Sequence, residues 1–336
     1  MSRTNDLNAF IDRAGWNGAA RMVVAGDASN RRYERLTLGA ETSIVMDAPP
    51  SKGEDVRPFI RIAGHLKTCG LSAPSILAAD EVEGFLLLED LGDDIYARVL
   101  ERDATLEGRL YSAAVNVLVE LHQHPAPALE PYDAATMTAL SMLAFDWYLA
   151  GVDSVDTSAR QRAETAIYAI LEPILPSVMI QRDYHAENLL WLPERHGVAR
   201  VGLLDFQDAM LGHPAYDMCS ILLDARRDVP RDIHDAMLEH YIVTARVGDE
   251  TAFRGAYWAL ALQRNLRIIG VFARLCLRDG KPHYVDLLPR VWSHVERALE
   301  EIGDAVLKKA VGGALPEPTS EIRERIKAQC ATRQTP

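Results

Sequence analysis

The sequence predicts an α+β chain in two lobes, a small antiparallel β lobe followed by a larger, mostly helical one. Three observations carry this. Up to about residue 90, short apolar runs alternate with turn residues, the pattern of strands and hairpins. From about residue 95, apolar residues recur at helical spacing, as in "EGRLYSAAVNVLVELHQH". One island, "SVMIQRDYHAENLLWL" followed by "ARVGLLDFQDA", interrupts the helices with strand, loop, strand, turn, strand.

Taken in order, residues 5–20 read as a short amphipathic helix ending near Gly15. In "MVVAGDASNRRYERLTL", apolar residues at 22–24 and 36–38 flank a polar, Gly-containing turn, which predicts a hairpin. "TSIVMDAPP" predicts a third strand, stopped by Pro49 and Pro50. "DVRPFIRIAGHLKTCGL" is helical and ends on Gly70. "GFLLLEDLGDD" is a buried strand running into an acidic turn. The expected division is 1–91 for a nucleotide-binding lobe, 92–312 for a helical catalytic and substrate lobe, and 313–336 for a Pro- and charge-rich tail that frays.

With 336 residues, 48% of them hydrophobic, the chain can bury a sizeable core. Its formal net charge of −12 argues against a general nucleic-acid or membrane-surface partner. Cys69, Cys219, Cys276 and Cys330 lie far apart without a CxxC, which fits reduced thiols in a cytoplasm. The start lacks the apolar segment of a signal peptide, and no apolar run is long enough to span a bilayer.

The island carries the chemistry. Phosphoryl transfer needs a carboxylate to take the proton of the attacking hydroxyl and oxygen ligands for Mg²⁺, which neutralises charge on the phosphates. "DYHAEN" supplies D-x-x-x-x-N, with Asp183 as base and Asn188 as metal ligand. "LLDFQ" supplies a second metal ligand, Asp205, at the next strand end. An Asx turn explains Asp183 and Asn188 alone but not the second acidic site. His185 and Glu187 lack the further cysteines or histidine that zinc requires, so His185 reads as a loop-shaping or phosphate-facing residue. No G-x-S-x-G is present for a serine hydrolase.

Ala28, Ser29, Asn30, Arg31 and Arg32 form a polar turn whose small residues and donors suit phosphates; an ordinary hairpin turn is the alternative. There is no G-x-x-x-x-G-K-[ST]. Met46 stands where a kinase carries its strand lysine, with Lys52 just beyond. Glu89, Asp90 and Leu91 form a connector whose backbone suits an adenine edge, or an ordinary strand exit. Arg254, Arg264, Arg267, Arg274, Arg278 and Lys281, against Asp279, give a local basic excess. Arg264 and Arg267 share a helix face, facing either an anionic substrate or solvent.

On these residues, and over about residues 20–310, the chain resembles the aminoglycoside phosphotransferase/choline kinase-type superfamily. The resemblance implies a protein-kinase-like two-lobed fold, with ATP and Mg²⁺ as cofactors. "QRDYHAEN" resembles the family's catalytic loop, with Gln181 in place of the usual leading His. Asp217, in "HPAYD", matches a buried Asp that braces this loop. Asp224 and Arg226 fall where the family's substrate cleft opens. "DASNRRYERL", "VMDAPP", "GFLLLEDLG", "DFQDAMLGHPAYD" and "QRNLRIIGVFARL" together resemble a narrower group, the bacterial anomeric kinases of cell-wall amino sugars. That group phosphorylates N-acetylmuramate and N-acetylglucosamine at the C1 hydroxyl, in peptidoglycan recycling, and its third strand also lacks the lysine. Two alternatives stay open: a kinase of aminoglycosides or choline-like amines, and an inactive kinase-like binding module.

Overall fold

The computed structural model describes residues 2–26, 30–152 and 156–334. In chain order the elements are α1 (Arg3–Arg13), β1 (Ala20–Gly26), β2 (Arg32–Leu38), β3 (Glu41–Asp47), α2 (Arg57–Thr68), β4 (Ile76–Asp80), β5 (Phe85–Glu89), α3 (Tyr96–Arg102) and α4 (Glu107–Gln123). Then follow α5 (Ala134–Ser141), a π-helical turn (Ala144–Tyr148), α6 (Leu149–Val152), α7 (Thr157–Leu171), β6 (Val178–Ile180), β7 (Leu189–Trp191), β8 (Val201–Leu203) and β9 (Met210–Gly212). The rest is helical: α8 (Ala215–Leu222), α9 (Arg231–Thr244), α10 (Glu250–Leu277), α11 (Leu288–Ile302), α12 (Ala305–Gly312) and α13 (Ser320–Ala328).

These elements form two compact units, and neither is one continuous stretch of chain. The first is 1–121 with 186–209; the second is 122–185 with 210–336. The boundary therefore differs from the linear seam expected near residue 91. The β7–β8 hairpin belongs with the first unit because Ser72 bridges Gly202, and Trp191 N–H donates to the Asp94 carbonyl at 2.7 Å.

The first unit is built on a five-stranded antiparallel sheet in the order β1-β2-β3-β5-β4. Apolar residues at 7, 10 and 11 give α1 one apolar stripe, and it packs on Leu36, Val45, Phe85 and Leu87 of the sheet. Met46, one residue on from Val45, faces the opposite side and is also buried. The turn into β5 needs Gly84. Its φ is +74°, and a Cβ there would stand 2.1 Å from the Ala48 carbonyl oxygen. Strand β4 is absent from the sequence-based expectation.

The second unit is helical around α10, which packs against α5, α8, α11 and the π-helical turn. The short β6 and β9 pair antiparallel, Val178 opposite Gly212. The tail does not fray as expected: α13 buries Ile326, while Arg325, Gln329 and Arg333 donate to the carbonyls of Val152, Gly151 and Ala150. Among the described residues no helix is long and apolar enough to cross a membrane.

Candidate active site

In the second unit, β6 leads directly into Gln181, Arg182 and Asp183. The backbone at Arg182 is left-handed, φ +72°, a conformation a non-glycine residue holds only when its surroundings fix it. Here α8 supplies the fixing. Both oxygens of the buried Asp217 accept backbone N–H groups, from Gln181 at 2.6 Å and from Arg182 at 2.9 Å. Ser220, one turn further along α8, donates its hydroxyl to the Arg182 carbonyl at 3.3 Å. Asp217 is thus bonded to the two residues ahead of Asp183. Burial pushes its carboxyl up to about 7, against the two N–H donors and Arg264.

Asp183 is half-buried. Burial alone would raise its carboxyl, but Arg267, then His185, Arg264 and Arg182, outweigh it and hold the group below the usual carboxylate range. His185 is itself buried, and desolvation lowers its pKa to about 4. At neutral pH the imidazole is uncharged, so the three arginines keep Asp183 ionised. Arg226 lies against His185, Nη1 to Nε2 3.4 Å, and its backbone N–H donates to Asp224 Oδ1 at 2.8 Å. Asp224 is buried. The structure thus gathers Asp183, His185, Asp217, Asp224, Arg226, Arg264 and Arg267 in one unit.

The basic helix face is not solvated. Arg267 is half-buried and donates to the Tyr216 hydroxyl at 3.4 Å. Arg264, expected at the substrate, is 3% exposed, and its Nε and Nη1 have no hydrogen-bond partner among the described residues. Helices pack around α10 at this level, so Arg264 meets the site through its field rather than its surface. Arg254 is paired with Glu239 and Glu250, and Arg278 with Asp279, which neutralises part of the excess.

The first unit brings Asn188 and Asp205 together at the base of the β7–β8 hairpin. The Leu204 N–H donates to the Asn188 carbonyl at 3.0 Å, and the Asn188 side-chain Nδ2–H donates to Asp205 Oδ2 at 3.4 Å. Asp205 is left-handed, φ +56°. Phe206 is buried and packs on Phe59 of α2, ring centroids 4.8 Å apart. Gln207, which the sequence reading did not single out, donates Nε2–H to Asp205 Oδ1 at 2.7 Å. Its signal was its place two residues after the acid in "DFQ". One amide oxygen and one carboxylate suit Mg²⁺, which usually takes one or two protein carboxylates and leaves its other positions to phosphates and water.

Of the expected phosphate turn, Ala28 and Ser29 lie outside the described residues. Asn30 N–H donates to Glu54 Oε1 at 3.0 Å, and Arg31 pairs with Glu54 Oε2 at 2.8 Å. Arg31 therefore spends much of its charge on Glu54, while Arg32 is exposed. In the connector, Glu89 pairs with Arg195 and accepts from Ser75, and its own N–H donates to the Ser75 carbonyl at 2.8 Å. Asp90 pairs with Arg35 through both oxygens. These carboxylates clasp the fold.

The family model described as the phosphotransferase enzyme family matches residues 22–255. A protein of Caulobacter vibrioides named N-acetylmuramate/N-acetylglucosamine kinase is 40% identical, over 89% of this chain and 93% of its own. Among solved structures, the choline kinase LicA from Streptococcus pneumoniae superposes with a TM-score of 0.60 at 12% identity, over 90% of this chain and 99% of its own. The ADP-bound aminoglycoside phosphotransferase APH(2'')-Ib gives 0.59 at 16% identity, over 89% and 98%. These two likenesses establish the protein-kinase-like fold.

Proposed function

The chain belongs to the phosphotransferase enzyme family and is an ATP-dependent small-molecule kinase; on that premise we propose that it phosphorylates the anomeric hydroxyl of N-acetylmuramate and N-acetylglucosamine. The observation that carries the choice of substrate is the charge around Asp183. Arg182, Arg264 and Arg267 make its surroundings cationic. A polycationic aminoglycoside or a choline-like amine would be repelled there, while a neutral sugar or one bearing a carboxylate would not. The name of the Caulobacter relative supports the same substrates.

Asp183 accepts the proton of the C1 hydroxyl as the sugar oxygen attacks the γ-phosphorus and the bond to ADP breaks. An anomeric hydroxyl is more acidic than an ordinary alcohol, so a carboxylate kept ionised is sufficient base. Asn188 and Asp205 would hold Mg²⁺, which neutralises charge on the phosphates. Asn30, Arg31 and Arg32 lie toward the phosphates, and the connector at 89–91 takes the adenine through its backbone. Arg267 and Arg226, both half-buried, receive the carboxylate of N-acetylmuramate, with Asp224 orienting Arg226 and Arg264 acting from behind. A cytoplasmic place in peptidoglycan recycling follows from these substrates.

The test is ³¹P NMR of the products formed from ATP and Mg²⁺ with each amino sugar, neomycin or choline. An anomeric phosphate from the sugars alone is expected. Phosphorylation of neomycin or choline with no sugar product would overturn the assignment, and no transfer to any acceptor would favour the inactive binding module.

A further inference from the structure

Between Tyr257 and Leu277, α10 is buried except at Arg267, Val271, Arg274 and Leu275, which are half-buried. The last three follow Arg267 by four, seven and eight residues, so all share one face of the helix. One narrow strip of an otherwise enclosed helix is therefore uncovered. It begins at Arg267, the largest of the charges that hold Asp183 ionised, and runs out to the exposed Arg278. Two of its three arginines are engaged. Arg267 donates to the Tyr216 hydroxyl at 3.4 Å, and Arg278 grips both oxygens of Asp279.

Arg274 is different. Its Nε is buried without a hydrogen-bond partner, and it enters no ion pair among the described residues. Burial, then Arg278 and Arg267, outweigh Asp279 and lower its pKa. An arginine nonetheless stays protonated. A cation is thus held partly desolvated beside two others, which is costly unless an anion meets it. A solvated basic face would have no reason to bury the Nε.

We propose that Arg274 is a specificity-determining residue of the acceptor site, binding the carboxylate of N-acetylmuramate with Arg267 and so favouring that sugar over neutral N-acetylglucosamine. Seven residues of helix span about 10 Å. Helical side chains lean toward the N-terminus, which brings Arg274 toward Arg267. Two long side chains can close that span around one carboxylate, which offers an oxygen to each. The same strip repels a cationic acceptor before it reaches Asp183. This deepens the assignment of amino-sugar acceptors and depends on it.

The test is steady-state kinetics of the full chain with both sugars, comparing wild type, Arg274→Met and Arg274→Lys. The methionine keeps the length and removes the charge. Its ratio of kcat/KM for N-acetylmuramate over N-acetylglucosamine is expected to fall about 10-fold, as loss of a hydrogen bond to a charged group does. The fall should lie in KM for N-acetylmuramate rather than in kcat. The lysine, which keeps the charge without the planar fork, should restore part of the ratio, and it serves if the methionine variant does not fold. The melting temperature of Arg274→Met should hold or rise, since an unpaired, half-buried cation is removed. An unchanged ratio in a folded variant overturns the proposal; so does a loss shared equally by both sugars, which marks a merely structural role. Transfer to neither sugar by the wild-type protein would instead sink the proposed function, and this preference with it.

Discussion

Asp183, the proposed base, is held below the usual carboxylate range because Arg267, His185, Arg264 and Arg182 outweigh its burial. Asp183→Asn removes the proton acceptor and is expected to lower kcat by roughly 10²–10⁴-fold, the range general-base catalysis supplies. The same change removes a carboxylate that the folded state holds ionised against its burial, so a modest fall in melting temperature should accompany it; a higher melting temperature would contradict the depressed pKa. Asp183, Asn188 and Asp205 were legible because D-x-x-x-x-N and a later strand-end Asp are local patterns with a chemical reason behind each letter. Asp217 needed the resemblance. The burial of Arg264 and the hydrogen bond from Gln207 to Asp205 were not legible. Both depend on what packs around a side chain, and a sequence shows an arginine or a glutamine identically whether it faces solvent or core.

At the scale of elements, α10 is the second unit's central post, and one glycine lets it approach the π-helical turn. A Cβ at Gly270 would come within 2.2 Å of the Leu143 backbone, whereas one at Gly255, on the same helix, meets nothing within 4 Å. Gly270→Ala should therefore destabilise the protein by about 1–3 kcal/mol, as overpacking does. Gly255→Ala should stabilise it by up to about 1 kcal/mol through helix propensity alone. Thermal or denaturant unfolding of the pair checks both signs, and a shared sign would contradict the described contact. Long apolar-periodic helices and the first hairpin could be read from the sequence. Strand β4 could not, because "ILAAD" shows no alternation of apolar and polar residues and its pairing with β5 is what makes it a strand. The tail helix α13 also escaped, because only Ile322 and Ile326 mark its apolar face and the rest of the docking comes from donors, Arg325 and, beyond the helix, Gln329 and Arg333.

For the whole molecule, charge state couples to folding through buried histidines. Desolvation depresses His122 to about 3, and His185, His213, His234 and His294 to about 4, all in the second unit. An unfolded histidine titrates near 6.5, so between that value and about 4 the unfolded chain binds more protons than the folded one. Stability present above pH 6.5 is thus lost as the pH falls. Asp217, raised to about 7, opposes this with one proton. Melting temperatures from pH 7.5 to 4.5 should fall steeply, and a flat profile would contradict the burial of these rings. The two-part architecture was legible, but its true division was not, since the β7–β8 hairpin belongs with residues far earlier in the chain. That interleaving has a consequence during synthesis. Proteins grow from the N-terminus at roughly 5–20 residues per second, so the first unit must wait, incomplete, until residue 209 has left the ribosome. The second unit likewise receives the donors that hold the carbonyls of residues 150–152 only after Arg325, Gln329 and Arg333 have been made.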